Sequence, residues 1–276
     1  MNNIGYLGPK GTYTHRAAEI YSSSLKKTPY RSINEVLRSL ENNISESIIV
    51  PVENSIYGSI VEVLDFLAKN DDFKIIKEVE LEINHSIYTL DKYSGNIDVI
   101  FSHPQALGQC YEYLNNNYPK AELKQSSSTA DSFNDLNAHG SKGAFIGPPW
   151  LESKPGVILI DKNIQSAKNN VTRFIVISSN KVKDEKHNYN KTSLVVSFTD
   201  DSPGSLLNVI KPFAEKNINM TKIESRPTKE KLGNYYFFID IEGHISEDKI
   251  QLCFTDIKRN VETLKVLGCY PRIVEN

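Results

Sequence analysis

Cysteine is scarce in this chain of 276 residues: Cys110, Cys253 and Cys269 are odd in number and show no C-x-x-C spacing. That argues against a disulfide framework and a thiolate zinc site, and it fits a reducing compartment. Charge of one sign is lacking as well. Lysine and arginine total 32 against 34 aspartates and glutamates, a formal net charge of -2. This balance provides no bulk electrostatic footprint for nucleic acid. No window approaches the ~18 apolar residues of a membrane span. Met1 to Tyr6 has neither the basic stretch nor the apolar run of a signal peptide, so a cytoplasmic protein without membrane attachment is expected. Gly5, Gly8 and Gly11 fit neither G-x-G-x-x-G nor G-x-x-x-x-G-K-S/T, which leaves the nucleotide loop without support.

The length leaves room for two domains at roughly 100 to 200 residues each. The clearest break in composition is Ser178 to Thr192, rich in charges, amides and hydroxyls, with little to anchor a core. The expected division is therefore residues 1–178, a linker at 179–192, and residues 193–276. Before the linker, short apolar runs alternate with helical periodicity, the grammar of an α/β fold. Ser32 and Glu35 form an S-x-x-E capping box, followed by Ile33, Val36, Leu37 and Leu40 at helical spacing. Ile4 to Leu7, Ile48 to Val52, Val99 to Phe101, Ala144 to Ile146, Val157 to Ile160 and Phe174 to Ile177 read as core strands. After the linker the order reads βαββαβ, a ferredoxin-like unit, with Pro212 predicting a kink or early end in its first helix.

Polar residues cluster where strands end: Glu53-Asn54-Ser55, His103-Pro104-Gln105, Ser127-Ser128-Thr129 and Thr172-Arg173. Each alone reads as a capping group or a turn. Four together suggest one site, because ligands of open α/β sheets sit at the carboxyl ends of strands. The set offers hydroxyl, amide and guanidinium groups, with no Ser-His-Asp order and no cluster at metal spacing. It suits carboxylate binding and hydrogen-bond donation, with neither metal nor cofactor expected.

Four stretches, in order, resemble prephenate dehydratase: Gly5-Tyr6-Leu7-Gly8-Pro9-Lys10-Gly11-Thr12-Tyr13-Thr14, Val50-Pro51-Val52-Glu53-Asn54-Ser55, Ser102-His103-Pro104-Gln105-Ala106-Leu107 and Asn170-Val171-Thr172-Arg173-Phe174. The C-terminal unit is similar to an ACT regulatory domain. Pro203-Gly204-Ser205-Leu206-Leu207 is close to its G-A-L segment, and Glu224-Ser225-Arg226-Pro227 is identical to its phenylalanine-sensing motif. Ser205 replaces the usual alanine, and Gly147-Pro148-Pro149-Trp150 stands where the family more often continues a helix.

The resemblance implies a two-lobed catalytic domain like periplasmic binding proteins, followed by the ACT domain. It implies cofactor-independent conversion of prephenate to phenylpyruvate, carbon dioxide and water in phenylalanine biosynthesis. Thr172 matches the catalytic threonine of the family. Glu53 and Asn54 would join it, Glu53 either orienting donors or acting as a protonated acid. Ser55, Gln105, Ser128, Thr129, Arg173 and Phe174 would meet the substrate, although Arg173 could equally tie subdomains together. His103 reads as a turn residue. L-Phenylalanine would bind as effector at Gly204, Ser205, Leu206 and Leu207 and at Glu224, Ser225, Arg226 and Pro227. That site would lie between ACT domains of a homo-oligomer, dimer or tetramer. With the first strand at Ile4, no preceding chorismate mutase segment is expected, and deletion of residues 193–276 should leave turnover without inhibition. The rival readings are a two-lobed sensor without turnover and an enzyme acting on arogenate.

Overall fold

The structure is a computed structural model that describes residues 3–90, 96–140, 142–179, 190–198, 202–229 and 233–275. The chain opens with β1 (Asn3–Leu7), α1 (Tyr13–Tyr21), β2 (Lys26–Tyr30) and α2 (Ile33–Glu41). It continues with β3 (Ser47–Asn54), β4 (Gly58–Ser59), α3 (Val61–Lys69) and the long β5 (Phe73–Glu82). The capping box at α2 forms in one direction as expected: the Ser32 hydroxyl accepts from the Glu35 amide at 3.2 Å. The return arm shifts by one residue, with the Glu35 carboxylate accepting from the Arg31 amide at 2.9 Å.

The chain then crosses to a second lobe at residues 83–85. That lobe holds β6 (Ser86–Leu90), β7 (Val99–Ser102), α4 (Pro104–Gln109), α5 (Tyr111–Asn117), β8 (Glu122–Gln125), α6 (Ser132–His139), β9 (Gly143–Gly147) and β10 (Val157–Asp161). Its sheet has the order β10-β6-β9-β7-β8. At Gly147 to Trp150 the chain leaves β9 and enters a short 3-10 turn, Pro149–Ser153. This turn carries Trp150 back to the first lobe, where its Nε1 donates to the Gly11 carbonyl at 2.9 Å and its ring meets Tyr13 edge-on at 4.8 Å. A second crossing, residues 162–170, leads into β11 (Val171–Ser179), which lies antiparallel between β5 and β3. Two lobes joined by two crossings is the arrangement that the sequence resemblance predicts.

The C-terminal unit runs β12 (Asn190–Ser197), α7 (Ser205–Glu215), β13 (Met220–Pro227), β14 (Tyr235–Glu242), α8 (Asp248–Ile257) and β15 (Thr263–Val274), the expected βαββαβ order. Most of the linker reading, residues 180–189, lies outside the described residues. Its last three residues are strand: Asn190, Lys191 and Thr192 pair with β15, and the buried Thr192 hydroxyl donates to the Gly243 carbonyl at 2.8 Å. Pro212 does not end α7, which continues to Glu215. The residue whose carbonyl loses its helical donor, Asn208, is solvent-exposed.

The C-terminal sheet is continuous with that of the first lobe. The combined order is β13-β14-β12-β15-β5-β11-β3-β1-β2, with Arg272 to Val274 of β15 parallel to Glu78 to Glu80 of β5. Strand alternation then distributes the side chains between two faces. Leu194, Val196, Ile239 and Ile241 pack under α7 and α8. Val195, Phe238, Leu267 and Tyr270 join Val36, Leu40, Leu64 and Leu67 of α2 and α3 in one core. The two domains therefore share an apolar core as well as a sheet.

Candidate active site

A cleft of about 450 Å³ separates the lobes. The first lobe lines it with Thr12 and Thr14 at the start of α1, Arg31 before α2, Asn54 at the end of β3 and Tyr57 after it. The second lobe supplies His103, Gln105, Gln109, Ser127, Ser128 and Thr129, and the crossings supply His85, Asn170 and Thr172. A larger groove of about 540 Å³ on the second lobe, by Asp98, Asn117 and Lys120, holds none of the predicted site residues.

The decisive local fact is the register of β3 and β11. Thr172 stands opposite Asn54, and Arg173 stands opposite Glu53. Successive residues of a strand point to opposite faces, so each predicted pair of sequence neighbours is split. Thr172 and Asn54 meet on the cleft side, where Asn54 Nδ2 donates to Thr172 Oγ1 at 2.9 Å. Phe174 follows on the same face and closes the cleft wall while packing against Tyr6 and Val176. The Glu53 carboxylate and the Arg173 guanidinium turn towards the C-terminal unit.

There Arg173 donates to three carboxylates: Nη1 to Glu53 at 2.5 Å, Nε and Nη2 to Glu78 at 3.0 and 2.6 Å, and Nη2 to Asp240 at 2.8 Å. Lys191 reaches the fully buried Glu78 at 2.6 Å, and Lys222 reaches Glu53 and Glu224 at 3.1 Å each. Burial works against the charge on Arg173, but Asp240 and Glu78 outweigh it, and its pKa is raised. Burial likewise favours the protonated form of Glu53, but Lys222 and Arg173 prevail and hold the carboxyl below its ordinary value. Of the two readings of Glu53, orienting donors or acting as a protonated acid, the geometry fits the first: it borders the cleft while Arg173 and Lys222 hold its carboxylate in an interdomain seam. Arg173 likewise belongs to the seam, the tying role, and is absent from the cleft lining.

Neutral amides hold the cleft floor. Asn54 Oδ1 accepts from the backbone amides of Ile56 and Tyr57 at 3.0 and 3.1 Å, an Asx turn that leaves Nδ2 to donate. Nδ2 donates to Thr172 and, at 2.7 Å, to Asn170 Oδ1; Asn170 Nδ2 donates in turn to Gln109 Oε1 at 3.2 Å. Gln109 Oε1 also lies 2.7 Å from His85 Nε2. This chain spans both lobes and ends on Thr172, whose oxygen accepts from Asn54 and whose hydrogen remains for a ligand. Ser55 and Ser128 serve structure first. Ser55 Oγ bridges Asn169 and Val171 across the second crossing, outside the cleft lining. Ser128 Oγ is exchanged with Asp131 ahead of α6, although Ser128 still borders the cleft. His103 caps α4, its Nδ1 accepting from the Gln105 amide at 3.3 Å.

Residues 4–182 match the prephenate dehydratase family model and residues 192–251 that of the ACT domain. The chain belongs to the prephenate dehydratase family. It is 36% identical over 271 residues to the prephenate dehydratase of Methanocaldococcus jannaschii, covering 96% of this chain and 97% of that one. The bifunctional chorismate mutase/prephenate dehydratase of Aquifex aeolicus is 33% identical over 98% of this chain and 73% of its own length. In structure, prephenate dehydratase from Arthrobacter aurescens in complex with L-Phe matches with a TM-score of 0.87 at 29% identity, over 98% of this chain and 90% of that one.

The prephenate dehydratase motifs thus mark residues on both faces of β3 and β11. The ACT segments lie apart from the cleft. Gly204, in the left-handed region at φ +94°, precedes α7, and Ser205 exchanges hydrogen bonds with Ser202. Leu206 is half-buried and Leu207 exposed. On the edge strand β13, Lys222, Glu224 and Arg226 face inward, while Ser225 and Pro227 face out. Glu224 accepts from the Ser59 hydroxyl in the first lobe, and Lys222 donates to the same oxygen of Ser59 at 2.6 Å. Sequence reasoning missed Arg31, His85, Gln109 and Asn170. Only Asn170 lay within a recognised motif, and a lone residue in a crossing has no periodicity to reveal it. Among the described residues no group of three or more His, Cys, Asp or Glu could hold a metal ion, and no helix is long and apolar enough to cross a membrane.

Proposed function

We propose that this chain converts prephenate to phenylpyruvate, carbon dioxide and water in the cleft between its lobes, under control of L-phenylalanine bound to the ACT domain. The observation that carries the reading is the Thr172 hydroxyl, fixed by Asn54 on the floor of a cleft that also presents neutral donors and Arg31. In the reaction the bond from the ring to its carboxylate breaks and its electron pair enters the ring. The carbon–oxygen bond at the opposite ring carbon breaks with its pair on the departing oxygen. That oxygen takes up one proton, ultimately from solvent, and leaves as water. Thr172 is too weak an acid to ionise usefully, so it polarises the departing oxygen as a hydrogen-bond donor placed in advance.

The substrate carries two carboxylates. Arg31 is the one lysine or arginine among the cleft-lining residues, and Thr12 and Thr14 bring the start of α1, whose backbone amides favour an anion. We assign Arg31 and this helix end to one carboxylate. Gln105, Ser128 and Thr129 hydrogen-bond the other, and the Phe174 ring borders the substrate. The carboxylate that departs belongs in the less solvated part of the cleft, since its charge disperses as carbon dioxide forms.

Control is assigned to the seam. An effector whose ammonium group engages Glu224 draws it from Ser59 and Lys222, and Lys222 is the cation that also holds Glu53, next to Asn54. The effector's carboxylate is placed at the α7 N-terminus, at Gly204 to Leu207. Within one chain no hydrogen bond links these two segments among the described residues, which favours a site completed by a second subunit. The edge position of β13, together with the exposed Ile223 and Leu207, suits that homo-oligomer. Incubation of pure protein with prephenate, with arogenate, and with prephenate plus L-phenylalanine tests the reading by phenylpyruvate absorbance and phenylalanine release. Turnover of prephenate, reduced by L-phenylalanine, is expected. No turnover of either substrate would favour a sensor.

A further inference from the structure

The amide chain on the cleft floor fixes the proton of a histidine that no motif marks. Backbone amides can only donate, so the contacts from Ile56 and Tyr57 identify Oδ1 of Asn54 and leave Nδ2 as the donor. Asn170 must then present Oδ1 to Asn54 and Nδ2 to Gln109. Gln109 must present Oε1, which accepts from Asn170 and faces His85 Nε2 at 2.7 Å. Two acceptors cannot share a hydrogen bond, so Nε2 of His85 carries the hydrogen. Nδ1 is left as a bare lone pair.

That lone pair is anomalous. His85 is 3% exposed and lines the cleft, yet its Nδ1 is buried and has no partner among the described residues. Burial pushes the pKa of the ring down to about 4, against the weaker upward effect of the bond to Gln109, so the ring is neutral near pH 7. Leaving a buried acceptor unpaired costs stability, and such an acceptor points to a donor supplied from outside the chain.

Prephenate has one such donor. Its two carboxylates and its ketone only accept at neutral pH, and the ring hydroxyl alone carries a hydrogen on oxygen. We propose that His85 Nδ1 accepts the hydrogen of the ring hydroxyl of the substrate while Thr172 donates to the oxygen of that same group. This rests on the functional reading above. The two contacts are complementary: the oxygen accepts from Thr172 and donates to His85. The oxygen takes the bond pair as it departs and Thr172 stabilises that charge, while the bond to the imidazole fixes the direction of the hydroxyl hydrogen. His85 thereby orients the leaving group so that a lone pair of its oxygen meets Thr172, and an analogue without the hydroxyl leaves Nδ1 unpaired.

The test uses the full-length protein with ¹⁵N-labelled histidine, the His85 resonances being identified by their loss in His85→Gln. The probes are tetrahydroprephenate, whose saturated ring cannot aromatise, and its counterpart lacking the hydroxyl. In the free protein His85 should show a protonated Nε2 and a bare Nδ1. Tetrahydroprephenate should shift Nδ1 upfield, and the deoxy analogue should not. In kinetics, His85→Gln keeps an amide near Nε2 and removes the Nδ1 acceptor, so kcat/KM should fall roughly tenfold. His85→Asn places an amide oxygen near the Nδ1 position and should recover part of that loss. A protonated Nδ1 in the free protein, an equal response to both probes, or a His85→Gln enzyme with native kcat/KM would overturn the proposal alone. A native protein that yields no phenylpyruvate from prephenate would overturn the functional reading and this proposal together.

Discussion

Replacement of Arg173 by methionine separates its two possible roles. The side chain is 15% exposed and satisfies Glu53, Glu78 and Asp240, which are 29%, 0% and 8% exposed. Without the guanidinium, Glu78 keeps Lys191 alone among the described residues, and Asp240 keeps the Ser193 hydroxyl at 2.5 Å. Breaking a buried ion pair in this way costs about 3–5 kcal/mol, because carboxylates are left uncompensated out of water. Against a total stability of about 5–15 kcal/mol that is a large fraction. With an m value of about 3 kcal/mol per M, the urea midpoint should fall by roughly 1 to 1.7 M. Arg173→Lys should fall between, since an ammonium group cannot span three carboxylates as the planar fork does. The assay is urea unfolding at pH 7 followed by circular dichroism, paired with KM for prephenate on the folded variant. An unchanged midpoint together with a KM raised about 100-fold would refute the seam assignment and restore Arg173 as a carboxylate anchor.

Thr172→Val should lower kcat about 100-fold while leaving KM and the unfolding midpoint close to native; near-native turnover would remove Thr172 from the chemistry. Arg31→Met should raise KM for prephenate roughly tenfold or more through loss of a charge-assisted hydrogen bond, and an unchanged KM would place the dianion elsewhere. The carboxyl of Glu53 is held below its unfolded value of 4.5, so its contribution to stability is fully present above that pH and disappears as pH falls through the depressed value. Acid titration of Glu53→Gln should accordingly show a shallower loss of stability below pH 4.5 than the native chain, and identical curves would contradict the sign. Deletion of residues 193–276, which from the sequence should leave turnover without inhibition, should instead give an aggregating product, since it strips β15 from β5 and uncovers the core around Leu64 and Leu67. A soluble, active truncation would show that the shared core is dispensable.

Much of the fold was legible because periodicity and packing agree. Ser32 and Glu35 marked the start of α2, and the apolar runs at Ile48 and Phe174 marked strands that are buried on both faces. β5 was not legible. Phe73–Glu82 carries Lys74, Lys77, Glu78, Glu80 and Glu82 among its apolar residues, and it becomes a central strand only because Arg173 and Lys191 neutralise Glu78. Those partners come from β11 and β12, so no local pattern contains the information. The site was half legible for a related reason. Motifs list neighbours in sequence, whereas a strand sends neighbours to opposite faces. Asn54 and Thr172 went to the cleft, and their neighbours Glu53 and Arg173 directed their charges to the seam. Strand alternation applied to each motif would have separated the pairs, but which face met solvent depended on the C-terminal unit.

The pairing of β15 with β5 also imposes an order on biosynthesis. Translation delivers β5 early, β11 only after the whole second lobe, and Arg272 to Val274 only after the other elements of the C-terminal unit. Until then β5 has an open edge, and the apolar side chains of α2 and α3 that Leu267 and Tyr270 cover remain bare. The nascent chain therefore carries an exposed strand from the synthesis of β5 until that of β15, the condition in which chains aggregate or recruit chaperones. The sheet of the first lobe closes only once residues 272–274 are available to pair with β5, and Glu275 beside them then pairs with Arg16 of the first helix.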